Sequence, residues 1–186
     1  ILALGLLLYG CKEAASKKLG LNPSEKYILF FGFIRKYKGL DILLDAMKDE
    51  RIKQAGIKLI VAGEFYGDSD AYMQQIEANS IADNVHLFTS FIPNDEIKYY
   101  FSAADLVVQP YRTATQSGIT QVAYHFEKPM VVTNVGGLAE VVPDGKVGFV
   151  AEPDSTSIAN AIVKFYETGS LPDLQQNIAT EKQKYS

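Results

Sequence analysis

Along most of this chain, short apolar runs alternate with longer segments of helical period. The apolar runs fall at 27–33 (YILFFGF), 57–62 (IKLIVA), 85–91 (VHLFTSF), 106–110 (LVVQP), 129–134 (PMVVTN) and 147–151 (VGFVA). Most are apolar at consecutive positions, as in strands whose two faces are both covered. Helical patterns occupy about 39–54, 68–80, 94–103, 117–126, 137–142 and 155–168, with a more polar stretch at 172–184. Asn94, ahead of Glu96 and Ile97, and Asp154, ahead of Ser155 and the stripe IANAIVKFYE, have the chemistry of helix N-caps. Strand and helix in alternation predict consecutive β-α units on a parallel sheet. We therefore expect an α/β fold, a doubly wound six-stranded parallel sheet of Rossmann-like type in the order 3-2-1-4-5-6. The chain divides into an N-terminal linker or fragment edge at 1–25, a Rossmann-like domain at 26–170 and a polar C-terminal helix or tail at 171–186.

The strand order decides where a ligand should lie. In open sheets of this kind it sits beyond the carboxyl ends of the strands where the order reverses, here between the first and fourth strands. The loops after 27–33 and after 106–110 should flank that crevice.

Composition narrows the chemistry. A chain of 186 residues is enough for one domain that buries roughly 70% of its unfolded surface. The single Cys11 cannot form an internal bridge, and His86 and His125 lack the spacing of zinc ligands. A net charge of -4 leaves no general basic field, so nucleic acid is not an expected partner and any anion must be held by local groups. Residues 1–11 (ILALGLLLYGC) are strongly apolar but too short to span a bilayer and have no basic leader. They are expected to be the edge of a fragment of a longer protein rather than a secretory signal.

The first loop reads FGFIRKYKGLD and brings Gly32, Arg35, Lys36, Lys38 and Gly39 to the strand end. It contains neither G-x-G-x-x-G nor a Walker-type phosphate loop. It offers cations instead: arginine forks onto two phosphate oxygens and lysine acts as a compact charge, a pair suited to a diphosphate. An ordinary solvated basic turn has the same composition. Opposite lies TATQSGIT, where Ser117 and Gly118 open a helix whose free N–H groups and dipole favour an anion. After the fifth strand, Gly136 and Gly137 permit a tight turn with close backbone approach to a ligand. Glu140, one turn on, suits sugar hydroxyls or solvent equally. Phe91 and Ile92 at the third strand's exit suit either a base or the core, and Glu64 at the second strand's end faces the crevice or not. Tyr99, Tyr100 and Phe101 share one helix and read as packing residues.

In this order, FFGFIRKYKGLDILLDA, LIVAGE, FIPNDEIKYYFSAADLVVQPY and KPMVVTNVGGLAEVVPDGKVGFV resemble the C-terminal, nucleotide-sugar-binding domain of retaining group 1 glycosyltransferases of GT-B architecture. The resemblance covers about 27–168. It implies a nucleoside diphosphate sugar donor, no required metal or other cofactor, and an acceptor sugar or lipid held by an N-terminal domain upstream. The implied location is the cytoplasm or the inner face of the membrane, with peripheral association of the whole protein as one expectation. Carried over by residue, Lys38 contacts the diphosphate; Phe33 stands where the family's arginine usually does, and Arg35 is the nearest substitute. These two are the expected catalytic cations. Phe91 and Ile92 match the exit that touches the nucleobase, and Gly136, Gly137 and Glu140 match the turn beside sugar and phosphates.

Many family members carry two glutamates in an E-x7-E pattern after the fourth strand, one near the donor sugar and one on the ribose. The corresponding positions here are Ala114 or Thr115 and Val122 or Ala123. Gln116 and Gln121 are the nearest polar side chains, although Gln121 lies about 100° around the helix from Val122. The implied function is sugar transfer with retention, this chain being the donor-binding half and inactive alone. The alternatives are a sugar-nucleotide epimerase of the same architecture and a noncatalytic nucleotide-sugar-binding module.

Overall fold

Six parallel strands carry the molecule: β1 Lys26–Phe31, β2 Ile57–Ala62, β3 Val85–Phe88, β4 Leu106–Gln109, β5 Met130–Thr133 and β6 Gly148–Ala151. In the computed structural model, which describes residues 11–168 and 171–185, their order is β3-β2-β1-β4-β5-β6. The expected sheet is therefore observed. Each strand alternates its side chains between two apolar layers. From β1, Ile28 and Phe30 enter one layer and Tyr27 and Leu29 the other; from β2, Leu59 and Val61 oppose Ile60 and Ala62.

Helices cover both layers. The first is packed by α2 (Leu40–Ala46), α3 (Glu50–Gln54), α4 (Asp70–Ala78) and α8 (Ser155–Glu167), through Leu43, Leu44, Ile52, Ile76, Ile158 and Ile162. The second receives α5 (Ile97–Ala103), α6 (Gly118–His125) and α7 (Leu138–Val141), through Phe101, Tyr124 and Leu138. Residues 11–18, within the stretch expected to be a linker, form a helix, α1, that buries Ala15 in the second layer. The polar tail is helix α9 (Leu171–Lys182), which sends Leu174 into the first layer and Ile178 into the second. Tyr100 and Phe101 are buried, as packing residues should be. The question raised by the apolar residues 1–10 lies outside the described residues.

Several boundaries differ from the sequence pattern for local reasons. β1 stops at Phe31 because Gly32, with φ +117°, turns the chain. β3 ends at Phe88, before the Ser90–Pro93 exit. The single helix expected over 39–54 is two, since Asp49 accepts from Arg51 N at 2.9 Å and starts α3 anew. Asn94 is not an N-cap: it lies inside a 3-10 turn, Asn94–Glu96, that leads into α5. Asp154 does cap α8, accepting from Ser157 N at 2.7 Å. Among the described residues no helix is long and apolar enough to cross a membrane.

Candidate functional site

The loops after β1 and β4 meet at the carboxyl ends of the strands. The chain leaves β1 through Gly32, passes an extended Arg35 and makes a 3-10 turn, Lys36–Lys38, ended by Gly39. Gly39 has φ +72°, and a Cβ there would lie 1.9 Å from the carbonyl oxygen of Pro110. Only glycine allows this approach, so the Lys38 turn rests directly on the loop that follows β4. Lys38 folds back over the strand end: a Cβ on Gly32 would be 3.1 Å from Lys38 Nζ and 3.6 Å from Ile119 Cδ1 in the first turn of α6. The lysine and the start of α6 thus converge on the β1 exit.

Lys38 is half-buried, and burial, followed by the neighbouring charge of Arg35, pushes its pKa down. Arg35 is exposed, with its guanidinium carbon 4.1 Å from the centre of the Tyr66 ring. Among the described residues neither cation has an ion-pair partner, whereas Lys36 and Arg112 share Asp41. Two positive charges therefore stand together at the strand ends, one partly desolvated, without a carboxylate to neutralise them.

α6 presents its N-terminus to the same place. Ser117 occupies the N-cap position but does not cap the helix. Its hydroxyl donates instead to the buried Gln109 Oε1 at 2.6 Å, with Tyr111 Oη 3.5 Å away. Gln109 also donates to Thr120 Oγ1 at 3.2 Å, and Thr133 Oγ1 donates to the Tyr111 carbonyl at 2.6 Å. These bonds anchor the loop inward and leave the first N–H groups of α6 without a side-chain acceptor among the described residues. Gly118 faces open space. An uncapped helix start beside two unpaired cations can accept a doubly charged anion.

The other residues named from the sequence divide into exposed and packed. Phe91 is 72% exposed, while Ile92 packs against the second apolar layer. Gln116 and Gln121 are exposed, as is Thr115; Ala114 and Val122 pack against the core and Ala123 is buried. In either register, neither glutamate position supplies a carboxylate. Gly136 has φ +51°, and a Cβ there would fall 1.5 Å from the Ala114 carbonyl oxygen. Its close approach is to the 114–115 backbone, so the glycine turn braces that loop. A Cβ on Gly137 would be 3.2 Å from Thr115 O and 3.9 Å from Glu140 Oε2, which sets Glu140 over the same turn. The Glu64 carbonyl accepts from Ile34 N at 2.9 Å, and Ile34 O accepts from Tyr66 N at 3.1 Å, tying the loops after β1 and β2 together.

Sequence reasoning missed Gln109, Tyr111, Asp41, Tyr66 and Arg112. A signal existed for two of them: a lone arginine just past Pro110 and an acid in the first turn of α2 are complementary charges on the two loops expected to flank the crevice. Among the described residues, no group of three or more His, Cys, Asp or Glu side chains could hold a metal ion.

Known proteins share the sequence pattern and the fold of this chain. The family described as glycosyl transferases group 1 matches residues 12–185. A D-inositol 3-phosphate glycosyltransferase of Segniliparus rotundus is 36% identical over 152 residues, which cover 80% of this chain and 34% of that protein. The chain thus spans about a third of the length of the curated relatives it matches. Among solved structures, the C-terminal domain of the group 1 family protein LpcC from Francisella tularensis superimposes with a TM-score of 0.81 at 21% identity, covering 94% of this chain and 93% of that one. Anabaena Alr3699/HepE in complex with UDP gives a TM-score of 0.75 at 23% identity, covering 96% and 53%.

Proposed function

Because the chain belongs to the group 1 glycosyltransferases, we propose that it is the donor-binding half of a retaining enzyme that transfers a sugar from a nucleoside diphosphate to an acceptor. The observation that carries this reading is the pair of cations without carboxylate partners, Arg35 and Lys38, beside the uncapped start of α6. The diphosphate lies between them and the amides of Ser117 and Gly118. As the glycosidic bond breaks, negative charge builds on the leaving phosphate. Preorganised cations and N–H groups stabilise that charge without reorganising during the step. Arg35 and Lys38 supply the neutralisation, so the reading requires no metal.

The remaining assignments follow the crevice outward. Phe91 is free to lie against a base, with Ile92 as the packed floor behind it. The same reading assigns Gln116, Gln121, Gly136, Gly137 and Glu140 to the sugar and ribose, with Glu64, in the loop after β2, at their edge. The UDP complex of Anabaena Alr3699/HepE supports a nucleotide ligand for this type of domain. An acceptor sugar or lipid would be held by a further domain, at the cytoplasmic face of a membrane if the acceptor is a lipid.

A noncatalytic nucleotide-sugar-binding module is the second reading, favoured by one observation: neither glutamate position carries a carboxylate. The two readings part on product formation by the full-length protein with donor and a panel of acceptors. For the site itself, a thermal-shift screen against UDP, GDP and ADP sugars should reveal stabilisation by at least one. Charge-assisted hydrogen bonds contribute about 1.5–3 kcal/mol, so Lys38→Ala should weaken nucleotide binding about 10- to 100-fold by calorimetry. Equal affinity of the two proteins would remove the diphosphate assignment.

A further inference from the structure

The turn that carries Lys38 is gripped by a residue that has no place in the phosphate cradle itself. Arg112, three residues past the end of β4, forks onto Asp41 in the first turn of α2: Nη1 donates to Oδ1 at 2.7 Å and Nη2 to Oδ2 at 2.6 Å. Nη1 also donates to the Lys36 carbonyl at 2.9 Å, and the Arg112 backbone N–H donates to the Tyr37 carbonyl at 2.7 Å. One residue thus holds the carbonyls of Lys36 and Tyr37 and the side chain of Asp41, on both sides of Lys38. Gly39 closes the same seam, with its Cα against the Pro110 carbonyl.

The grip also sorts the charges. Four cations lie in these two loops, and Asp41 takes two of them, Arg112 and Lys36. Both terminal nitrogens of Arg112 are engaged, so it is not placed to fork onto a phosphate. Its bidentate geometry suits fixing a backbone: a fork resists both sliding and twisting, whereas a lysine would give one point contact. Without it, the Lys38 turn would meet the loop before α6 through the Gly39 contact and the edge-to-face pair of Tyr37 and Tyr111, whose ring centres are 6.1 Å apart.

We propose that Arg112, seated on Asp41, is a positioning residue that fixes the Lys38 turn against the loop before α6 and so sets the gap a diphosphate spans between the Lys38 ammonium and the α6 amides. The inference rests on reading this site as a diphosphate cradle. If Arg112 acts through Lys38, its effect on binding must vanish when Lys38 is gone, which a residue acting on stability or touching the ligand would not show.

The test is a double-mutant cycle on the full chain. Wild type, Lys38→Ala, Arg112→Gln and the double variant are titrated calorimetrically with UDP, GDP and ADP, using the tightest binder for the cycle. Arg112→Gln should weaken that nucleotide about 3- to 30-fold in the wild-type background and less than about twofold in the Lys38→Ala background. Arg112→Lys should not rescue. Asp41→Asn, which keeps the side-chain size, should reproduce the loss, and it serves as the cycle partner if Arg112→Gln does not fold. Amide hydrogen exchange over 36–41, measured without nucleotide, should quicken at least about tenfold in Asp41→Asn. Equal losses in both backgrounds, rescue by lysine, or unchanged exchange would each overturn the positioning role and leave the cradle standing. Wild-type affinity in Lys38→Ala, or no binding of any of the three nucleotides, would overturn the cradle and the inference with it.

Discussion

At the scale of single residues, the candidate site depends on where two cations are pointed. Arg35 is exposed and has no carboxylate partner among the described residues; what directs it is the face of Tyr66, 4.1 Å away. A cation over an exposed ring is worth about 0.5–1 kcal/mol. Tyr66→Leu should therefore weaken nucleotide binding about two- to fivefold, while Tyr66→Phe, which keeps the ring, should bind as wild type. Calorimetry on the two variants checks this; equal weakening by both would assign the effect to the hydroxyl instead. The sequence made Arg35 legible as a cation at the expected crevice and Phe33 as an apolar residue in the usual arginine's place. It did not make Tyr66 legible, because the ring arrives from the loop after another strand. Ser117 was readable in position but not in role: its place before α6 suggests a cap, and the buried Gln109 that draws its hydroxyl inward lies at the end of β4, whose sequence reads as plain strand.

At the scale of elements, burial pattern decided most of what could be read. Strands covered on both faces leave uninterrupted apolar runs, and all six runs became strands in the expected order. The misplaced ends fall where one atom overrides the pattern. Asp49 caps a second helix inside a continuous helical period, and Pro93 and Asn94 start a 3-10 turn where a cap was expected. The contribution of a true cap can be measured on α8. That helix buries Ile158, Ile162 and Phe165, and Asp154 holds its first turn with 2.7 Å and 3.0 Å bonds to Ser157 N and Oγ. Asp154→Ala should cost about 1 kcal/mol, a fall in Tm of about 2–4 °C in a scanning melt. A nucleotide affinity changed more than twofold by this variant would show that α8 reaches the site.

Across the whole molecule, the two ends of the sheet do different work. The carboxyl ends gather the unpaired cations and the uncapped helix, features that cost stability and suit a ligand. The amino ends gather a satisfied cluster about Asp105, just ahead of β4. Its carboxylate accepts from Lys12 Nζ at 2.8 Å, from the Tyr27 backbone N–H at 2.9 Å and from Tyr166 Oη at 3.2 Å. The donors come from α1, β1 and α8, so one side chain links helices on opposite faces of the sheet. Burial raises the Tyr166 hydroxyl pKa well above the usual tyrosine range, helped by the Asp105 charge, so it stays a donor at neutral pH. Burial likewise pushes the Lys128 pKa down, and Asp105 opposes that shift. Removing the carboxylate takes the acceptor from the Tyr27 N–H and leaves Lys12 with the Glu25 carbonyl at 2.7 Å and Tyr166 with the Tyr27 carbonyl at 3.5 Å. Asp105→Ala should destabilise the fold by about 2–3 kcal/mol, lowering Tm by about 5–10 °C. Below its melting range the variant should still bind nucleotide within about twofold of wild type, because Asp105 sits at the far end of the strands from Arg35 and Lys38. A matched loss of affinity at a temperature where the variant is fully folded would mean that the cluster sets the geometry of the strand ends as well, and the division between a stabilising end and a binding end would fail.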